Sequence, residues 1–204
     1  MNSCCLLVLS RYQDLFQSFR HSVDILAPHT FKILIRSGSD IHSPDDFRWL
    51  TIQGEEPFNY SRSVNRGWGA SLRDDVLLCG DDIRIETPGF VEILQEVAYS
   101  SPTVGVSTIQ LYGQSPFVAG YFKRSVISAV GPMDERFTGY GHDDNDWCRR
   151  MEALGYHTLP TDRIKASHGG GTSFLRRAFE LGTTMESLSA TNDRLYEEKW
   201  NPKS

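Results

Sequence analysis

The sequence of 204 residues lacks the marks of a secreted or membrane-spanning protein. No stretch approaches the roughly 18 consecutive apolar residues of a membrane span, and the first residues lack the basic segment and long apolar stretch of a signal peptide. The four cysteines form no spaced pair of the kind that binds zinc or carries redox chemistry, which predicts reduced thiols. We therefore expect a cytoplasmic protein without a transmembrane segment.

A surplus of positive charge is absent as well. The chain has 21 Lys and Arg residues against 26 Asp and Glu residues, which gives a formal net charge of -5. Proteins that bind duplex nucleic acid present a broad basic face, so such a partner is not expected. A length of 204 residues with 39% hydrophobic residues is typical of one globular domain that folds without disulfides or metal.

The pattern of hydrophobic residues predicts an α/β domain. Short apolar segments alternate with longer segments of helical period, which is typical of a mostly parallel sheet flanked by helices. The predicted strands cover residues 4–9, 31–35, 49–52, 76–79, 104–109, 117–122, 157–159 and 164–166. The predicted helices cover residues 12–27, 59–72, 88–99, 144–154 and 187–200, and the glycines at 169–171 predict a flexible loop.

A pair of aspartates follows the predicted buried strand 76–79. Ligands of open α/β sheets bind beyond the carboxyl ends of the strands, which is where Asp81 and Asp82 lie in the sequence. Two carboxylates at such a position suit a hard divalent cation. The alternative is that both acids only begin a turn, where aspartate is common, and the local sequence leaves the two interpretations open.

A second acidic group lies at the predicted start of the helix 144–154. Asp143, Asp144 and Asp146 follow a glycine-rich segment. The helix dipole stabilises an acid at this position by up to about 1 kcal/mol, so capping explains one or two of the three acids. Like charges this close raise the proton affinity of at least one carboxylate, and a general base requires such tuning. Spacing alone favours the structural interpretation over catalysis.

His168 is the third candidate, directly before the glycines at 169–171. An imidazole in a mobile loop is suited to completing a metal or substrate site when the loop closes. The alternative is an exposed histidine without a function. The remaining histidines form no spaced pair of metal ligands.

Taken in chain order, these segments resemble the GT-A fold glycosyltransferases of the inverting family 2 type, and they also resemble the catalytic domain of β-1,4-galactosyltransferases. The likeness spans nearly the whole chain, and it rests on the order of five motifs rather than on any single one. The matching segments are residues 57–67, 76–83, 131–137 with 139–149, 167–173 and 192–200.

The resemblance implies a single GT-A domain over residues 1–204, with a Rossmann-like, mixed and mostly parallel sheet flanked by helices. Residues 1–100 would form the half that binds the nucleotide-sugar donor. Residues 101–204 would form the acceptor half, which ends in a helical tail. The implied activity is a metal-dependent, inverting transfer of a sugar from a nucleoside-diphosphate sugar to a hydroxyl of a glycan or other acceptor.

The resemblance also implies roles for individual residues. Asp82 and His168 would bind Mn²⁺ or Mg²⁺, and Asp144 would be the catalytic base. The implied acceptor-binding residues are Tyr140, Gly141 and Asp143. The implied donor-binding residues are Ser10, Arg11, Arg36, Arg62 and Asp81.

Three positions depart from the pattern of the family. Arg36 stands where an acid usually contacts the nucleobase, and Gly80 occupies the first position of the usual Asp-x-Asp motif. Asp143 replaces a more usual glutamate, which shortens its reach to the acceptor by one methylene.

Two other functions remain open at this stage. A metal-dependent nucleotidyltransferase uses a related sheet, but the residues after the first strand lack the glycine-rich segment typical of those enzymes. A non-catalytic sugar- or nucleotide-binding relative is favoured by Arg36 and Gly80. The joint presence of Asp82, Asp144 and His168 is evidence against it, because three separated polar residues share no structural need.

Overall fold

The computed structural model describes residues 3–38, 40–111 and 115–202. The strands are β1 (Cys4–Ser10), β2 (Phe31–Arg36), β3 (Trp49–Gln53), β4 (Asp75–Gly80), β5 (Ile83–Ile85), β6 (Val104–Ile109), β7 (Ala119–Phe122), β8 (His157–Thr161) and β9 (Ala166–His168). The helices are α1 (Gln13–Leu26), α2 (Tyr60–Ala70), α3 (Phe90–Ala98), α4 (Arg124–Val130), α5 (Asp143–Ala153), α6 (Thr172–Glu180) and α7 (Met185–Trp200).

The main sheet of the described residues has seven strands in the order β3, β2, β1, β4, β7, β6, β8. All neighbouring pairs are parallel except those of β7, which runs antiparallel to β4 and β6. Strands β5 and β9 form a separate antiparallel pair. This topology confirms the predicted single α/β domain with a mixed, mostly parallel sheet.

Helices cover both faces of the sheet because the side chains of β1 alternate between two cores. Leu6 and Val8 pack with α1 and α3, while Leu7 packs with α2, α4 and α5. The predicted helix 12–27 is confirmed as α1, whose Phe16, Phe19 and Val23 lie in the first core. In the second core, the indole of Trp147 packs on that of Trp68 with ring centroids 5.5 Å apart. This contact fixes α5, which begins at the candidate catalytic aspartates.

Several predicted element boundaries were wrong. The predicted strand 117–122 begins only at Ala119, because residues 116–118 turn, with Val118 N donating to Ser115 O at 3.0 Å. The predicted strand 164–166 is instead Ala166–His168, paired with β5. The predicted glycine loop keeps its bounds of 169–171, but it leads directly into α6, a helix that the sequence did not predict.

Other elements lie close to the predicted positions. Helix α2 begins after Asn59, whose Oδ1 accepts a hydrogen bond from Arg62 N at 2.8 Å, as expected of a helix N-cap. Helix α5 begins one residue before its predicted start, and Gly155 follows it with a φ of +82°. Among the described residues, no helix combines the length and apolar character needed to cross a bilayer.

Candidate active site

An open cavity of about 800 Å³ lies beyond the carboxyl end of β4. Its walls come from the turn after β4, residues 115–118, the segment that leads into α5, the end of β9, the start of α6 and one face of α7. The sequence-predicted residues that line it are Asp81, Asp82, Tyr140, Gly141, Asp143, Asp144 and His168. The fold therefore brings three separated motifs to one place.

Asp81 connects three elements beneath the cavity. The parallel pairing of β1 with β4 places Leu9 opposite Gly80, so Ser10 and Asp81 follow side by side. Ser10 Oγ donates to Asp81 Oδ2 at 2.5 Å, and Ser173 Oγ of α6 donates to Oδ1 at 2.7 Å. Burial raises the pKa of Asp81 to about 6, while the two serine hydrogen bonds act in the opposite direction. Both carboxylate oxygens are thus already engaged within the chain.

Asp82 and His168 meet because β5 pairs with β9. His168 lies opposite Ile83 in this pairing, and its Nε2 is 3.1 Å from Asp82 Oδ1. Thr172 N donates to Asp82 Oδ2 at 3.0 Å, which fixes the carboxylate. The sequence prediction that His168 lies in a mobile loop was wrong, because strand pairing holds the residue at the end of β9.

The Asp82 and His168 pair fits two protein ligands of one cation. Ligand atoms about 2.1 Å from an octahedral cation lie about 3 Å apart when they occupy neighbouring positions. The separation between Asp82 Oδ1 and His168 Nε2 is 3.1 Å. Within the described chain, no group of three His, Cys, Asp or Glu side chains is arranged to hold a metal. Further ligands would have to come from a bound substrate or water.

The presence of glycine at position 80 has a local structural explanation. A side chain at this position would bring its Cβ to 3.1 Å from Asp82 Oδ1, which is tighter than an ordinary contact. The residue that replaces the first acid of the usual motif therefore leaves room for the Asp82 carboxylate.

The acids at the start of α5 have different surroundings. Asp143 is buried, and desolvation together with the charge of Asp144 raises its pKa to about 7. Asp144 is only partly buried, lines the cavity, and accepts a hydrogen bond from Asn145 N on Oδ1 at 2.8 Å. Asp144 is therefore the more accessible member of the pair.

Asp146 faces away from the cavity and holds α7. Its Oδ1 accepts a hydrogen bond from Trp200 Nε1 at 2.9 Å and lies 2.6 Å from Lys199 Nζ. Its Oδ2 accepts a hydrogen bond from Arg150 Nε at 3.1 Å. A fully buried carboxylate needs such partners, so the third acid of the group is structural. These contacts also give a structural role to Lys199 and Trp200, which lie in the segment 192–200 of the family resemblance.

Helix α7 shapes the wall that precedes α5. The buried Asn192 accepts a hydrogen bond from Gly139 N at 3.0 Å and donates one to Gly141 O at 2.6 Å. His142 adopts a φ of +66°, and its Nε2 lies 3.1 Å from Asp193 Oδ1. Sequence reasoning missed Asn192 and Asp193, because polar residues in an amphipathic helix carry no local signal of what they contact.

An aromatic pair lines the same cavity. The rings of Tyr140 and Phe174 pack with centroids 4.6 Å apart. Phe174 of α6 was also missed, since the sequence predicted no helix there. Aromatic faces of this kind suit the C–H surfaces of sugar rings, which are apolar on one side.

The arginines expected at the donor do not line this cavity, and neither does Ser10. Each of their guanidinium groups already contacts oxygen atoms of the chain. The contacts are Arg11 with Glu56 at 2.7 Å, Arg36 with Gln53 at 2.7 Å and with Ile41 O at 3.0 Å, and Arg62 with Glu55 at 2.7 Å and Glu135 at 3.0 Å. Their predicted donor contacts remain predictions.

No protein-family model matches the sequence, and a sequence comparison with curated proteins finds no match. Solved structures do match the fold. A mannosyltransferase of Pyrobaculum calidifontis in complex with GDP-Man and Mn²⁺ has a TM-score of 0.64 at 13% identity, over 88% of this chain and 62% of that one. The present chain thus spans less than two thirds of that protein.

Two further solved structures match the same fold. Glucosyl-3-phosphoglycerate synthase of Mycobacterium tuberculosis, in complex with Mn²⁺, UDP-glucose and phosphoglyceric acid, has a TM-score of 0.64 at 13% identity and covers 100% of this chain and 81% of its own. A mutant of Drosophila β-1,4-galactosyltransferase 7, in complex with manganese, UDP-Gal and xylobiose, has a TM-score of 0.59 at 14% identity, over 86% and 74% of the two chains. The chain therefore has the GT-A fold that these glycosyltransferases share.

Proposed function

We propose that this protein is a metal-dependent, inverting glycosyltransferase that moves a sugar from a nucleoside-diphosphate sugar to an acceptor hydroxyl. The observation that carries the proposal is the position of Asp144 in the same cavity as the paired Asp82 and His168. A metal-binding pair and a candidate base in one cavity suit a displacement at a carbon held between them.

Asp82 Oδ1 and His168 Nε2 would hold a Mn²⁺ or Mg²⁺ ion. When bound, the cation would neutralise the charge that develops on the departing diphosphate. Thr172 N keeps Asp82 Oδ2 occupied, so that Oδ1 stays directed at His168. Asp81 would support the donor end by holding α6 and β1 together through its two serine hydrogen bonds.

Asp144 would act as the general base. It takes the proton of the acceptor hydroxyl as that oxygen bonds to the anomeric carbon, while the bond from this carbon to the diphosphate oxygen breaks on the opposite face. The configuration at the anomeric carbon inverts in this single step. Because burial and the charge of Asp144 raise the pKa of Asp143 to about 7, its carboxyl is partly protonated at neutral pH, and in that form Asp143 could donate a hydrogen bond to the acceptor beside the base.

Tyr140 and Gly141 would form the acceptor wall with Asp143. Their positions are fixed by Asn192, which hydrogen-bonds the backbone on both sides of Tyr140. A base must lie within hydrogen-bond reach of the proton that it removes, so this rigid wall serves the alignment of the acceptor hydroxyl.

The donor site is tested by thermal stabilisation with nucleoside diphosphates and nucleotide sugars, each with and without Mn²⁺ or Mg²⁺. A ligand that binds only the native state raises the melting temperature. We expect metal-dependent stabilisation by one nucleotide family. The absence of stabilisation by every nucleotide would contradict the proposal, and release of pyrophosphate from a nucleoside triphosphate would favour a nucleotidyltransferase instead.

The catalytic role is tested by Asp144→Asn, with Asp162→Asn as the matched control, because Asp162 is exposed and does not line the cavity. We expect Asp144→Asn to lose sugar transfer while its stabilisation by the donor is retained, and the control to keep both. NMR of the anomeric proton of the product would report inversion. Full transfer by Asp144→Asn would refute this role, and donor binding without transfer by the unmodified chain would favour a non-catalytic relative.

A further inference from the structure

The charge of the cavity has one sign. Its lining includes five aspartates, Asp81, Asp82, Asp143, Asp144 and Asp193, of which Asp143 is partly protonated near pH 7 because burial raises its pKa to about 7. None of the described residues that line it is a lysine or an arginine. Its two histidines already face carboxylates, since His168 meets Asp82 and His142 meets Asp193, each at 3.1 Å.

The charges of a donor and a metal would not reverse this sign. The diphosphate of a nucleotide sugar carries two negative charges, which one divalent cation balances. The carboxylates beyond the metal pair would then determine the potential that an incoming acceptor meets. Asp144 and Asp193 are the more exposed of these, on the α5 and α7 sides of the cavity.

Helix α7 holds its acidic residue in a fixed position. Its C-terminal end is tied to α5 through the buried Asp146, and its middle is tied to the cavity wall through the buried Asn192. Asp193 directly follows Asn192, and its Oδ1 lies 3.1 Å from His142 Nε2. The negative charge is therefore part of a rigid wall and not of a free side chain.

An aromatic pair also lines this cavity, beside serine and glycine residues. Tyr140 and Phe174 pack on each other and both line the cavity. Aromatic rings bind the apolar C–H face of a saccharide, whereas they offer nothing to a phosphate or carboxylate group. The fold itself does not decide the charge of the acceptor, because matching structures hold either xylobiose or phosphoglyceric acid.

From these observations we infer that the acceptor of this protein is an uncharged saccharide, and that Asp193 and Phe174 select it against acceptors that carry phosphate or carboxylate groups. Asp193 rejects the anionic group by like-charge repulsion, and Phe174 binds the sugar ring. This inference rests on the proposed function, and it concerns Asp193 and Phe174, to which the family resemblance assigned no role.

The test compares how tightly matched neutral and anionic saccharides bind to the full chain. Methyl glycosides of glucose, galactose and mannose are titrated by ligand-detected NMR against the corresponding uronates and 6-phosphates, both without nucleotide and with Mn²⁺ and the stabilising nucleoside diphosphate. We expect at least one neutral glycoside to bind about tenfold more tightly than its anionic counterparts, which is the effect of one like charge at ~6 Å in a partly screened site. Equal or tighter binding of the anionic saccharides, or no binding of any saccharide, would overturn the inference.

Two pairs of variants separate the contributions. Asp193→Asn should reduce the discrimination against anionic saccharides several-fold, whereas Glu198→Gln on the same helix, outside the cavity, should leave it unchanged. Phe174→Ala should weaken the binding of neutral glycosides about fivefold to tenfold without changing the discrimination between neutral and anionic saccharides. Its control is Phe179→Ala, since Phe179 lies on the same helix and is 88% exposed.

These readouts distinguish the two proposals. If no metal-dependent nucleotide binding is found, the proposed function is contradicted. The saccharide titration carried out without nucleotide can still be interpreted in that case. Unchanged discrimination in a folded Asp193→Asn variant, as judged from its melting temperature, overturns the role of Asp193 even where transfer is observed.

Discussion

Replacing the buried Asp143 by asparagine should stabilise the protein in a pH-dependent way. The carboxyl of Asp143 is 7% exposed and adjoins Asp144, and these surroundings raise its pKa from 3.8 to about 7. The folded chain therefore retains a proton that the unfolded chain releases between about pH 4 and pH 7. The contribution of Asp143 to the free energy of unfolding therefore falls as the pH rises through this window.

The magnitude follows from the difference between the two pKa values. At ~1.36 kcal/mol for each pKa unit, a rise from 3.8 to about 7 corresponds to about 4 kcal/mol. Asparagine has no proton to lose and keeps the size of the side chain. The variant should match the unmodified protein below about pH 4 and exceed its stability by up to about 4 kcal/mol above pH 7.

Urea unfolding at a series of pH values from 4 to 8 measures this difference, since the contributions of other titrating groups largely cancel between the two proteins. Asp144→Asn is a useful second variant, because it removes the neighbouring charge while Asp143 remains buried. Its increase in the free energy of unfolding should be smaller than that of Asp143→Asn. An Asp143→Asn protein that shows the pH dependence of the unmodified chain, or that is less stable at pH 8, would refute the reasoning.

Four further substitutions concern packing, a buried carboxylate and the metal pair. Gly67→Ala should destabilise the fold by about 1–3 kcal/mol in urea unfolding, because its Cβ would lie 2.3 Å from a Leu7 methyl group. In the same helix, Gly69→Ala meets no atom within 4 Å and should stabilise it by about 1 kcal/mol. Asp146→Ala should cost about 3 kcal/mol, measured in the same assay, since it removes the fully buried carboxylate that pairs with Arg150 and Lys199 and accepts a hydrogen bond from Trp200. His168→Ala should abolish metal-dependent stabilisation by nucleotides while the melting temperature without metal changes little; retention of that stabilisation would exclude His168 as a ligand.

The predicted fold followed from local patterns. Strands β1 and β4 are continuous apolar segments, and α1 carries an apolar stripe of helical period, so each could be recognised within a few residues. Strand β5 has only three residues and shows no period. Helix α6 was missed although Phe174, Leu175, Ala178 and Phe179 recur at helical spacing, and Ala178 is its one buried residue.

The candidate site was predictable to the extent that its motifs are contiguous. Asp82 and Asp144 stand in short contiguous segments that resemble motifs of GT-A glycosyltransferases, and both line the cavity. The contact of His168 with Asp82 depends on the pairing of β5 with β9, across a separation in sequence that no local pattern spans. Asn192 and Phe174 were missed for the same reason.

The sequence by itself determined the α/β class, the alternation of elements and the set of acidic residues available at the ends of β4 and before α5. Only the tertiary structure assigned those acids to different tasks. Asp146 became structural because Trp200 and Lys199 reach it from the end of α7, and Asp144 remained accessible in the cavity. The physical reason is that burial and electrostatic partners, which decide whether a carboxylate caps, anchors or accepts a proton, come from residues distant in the chain.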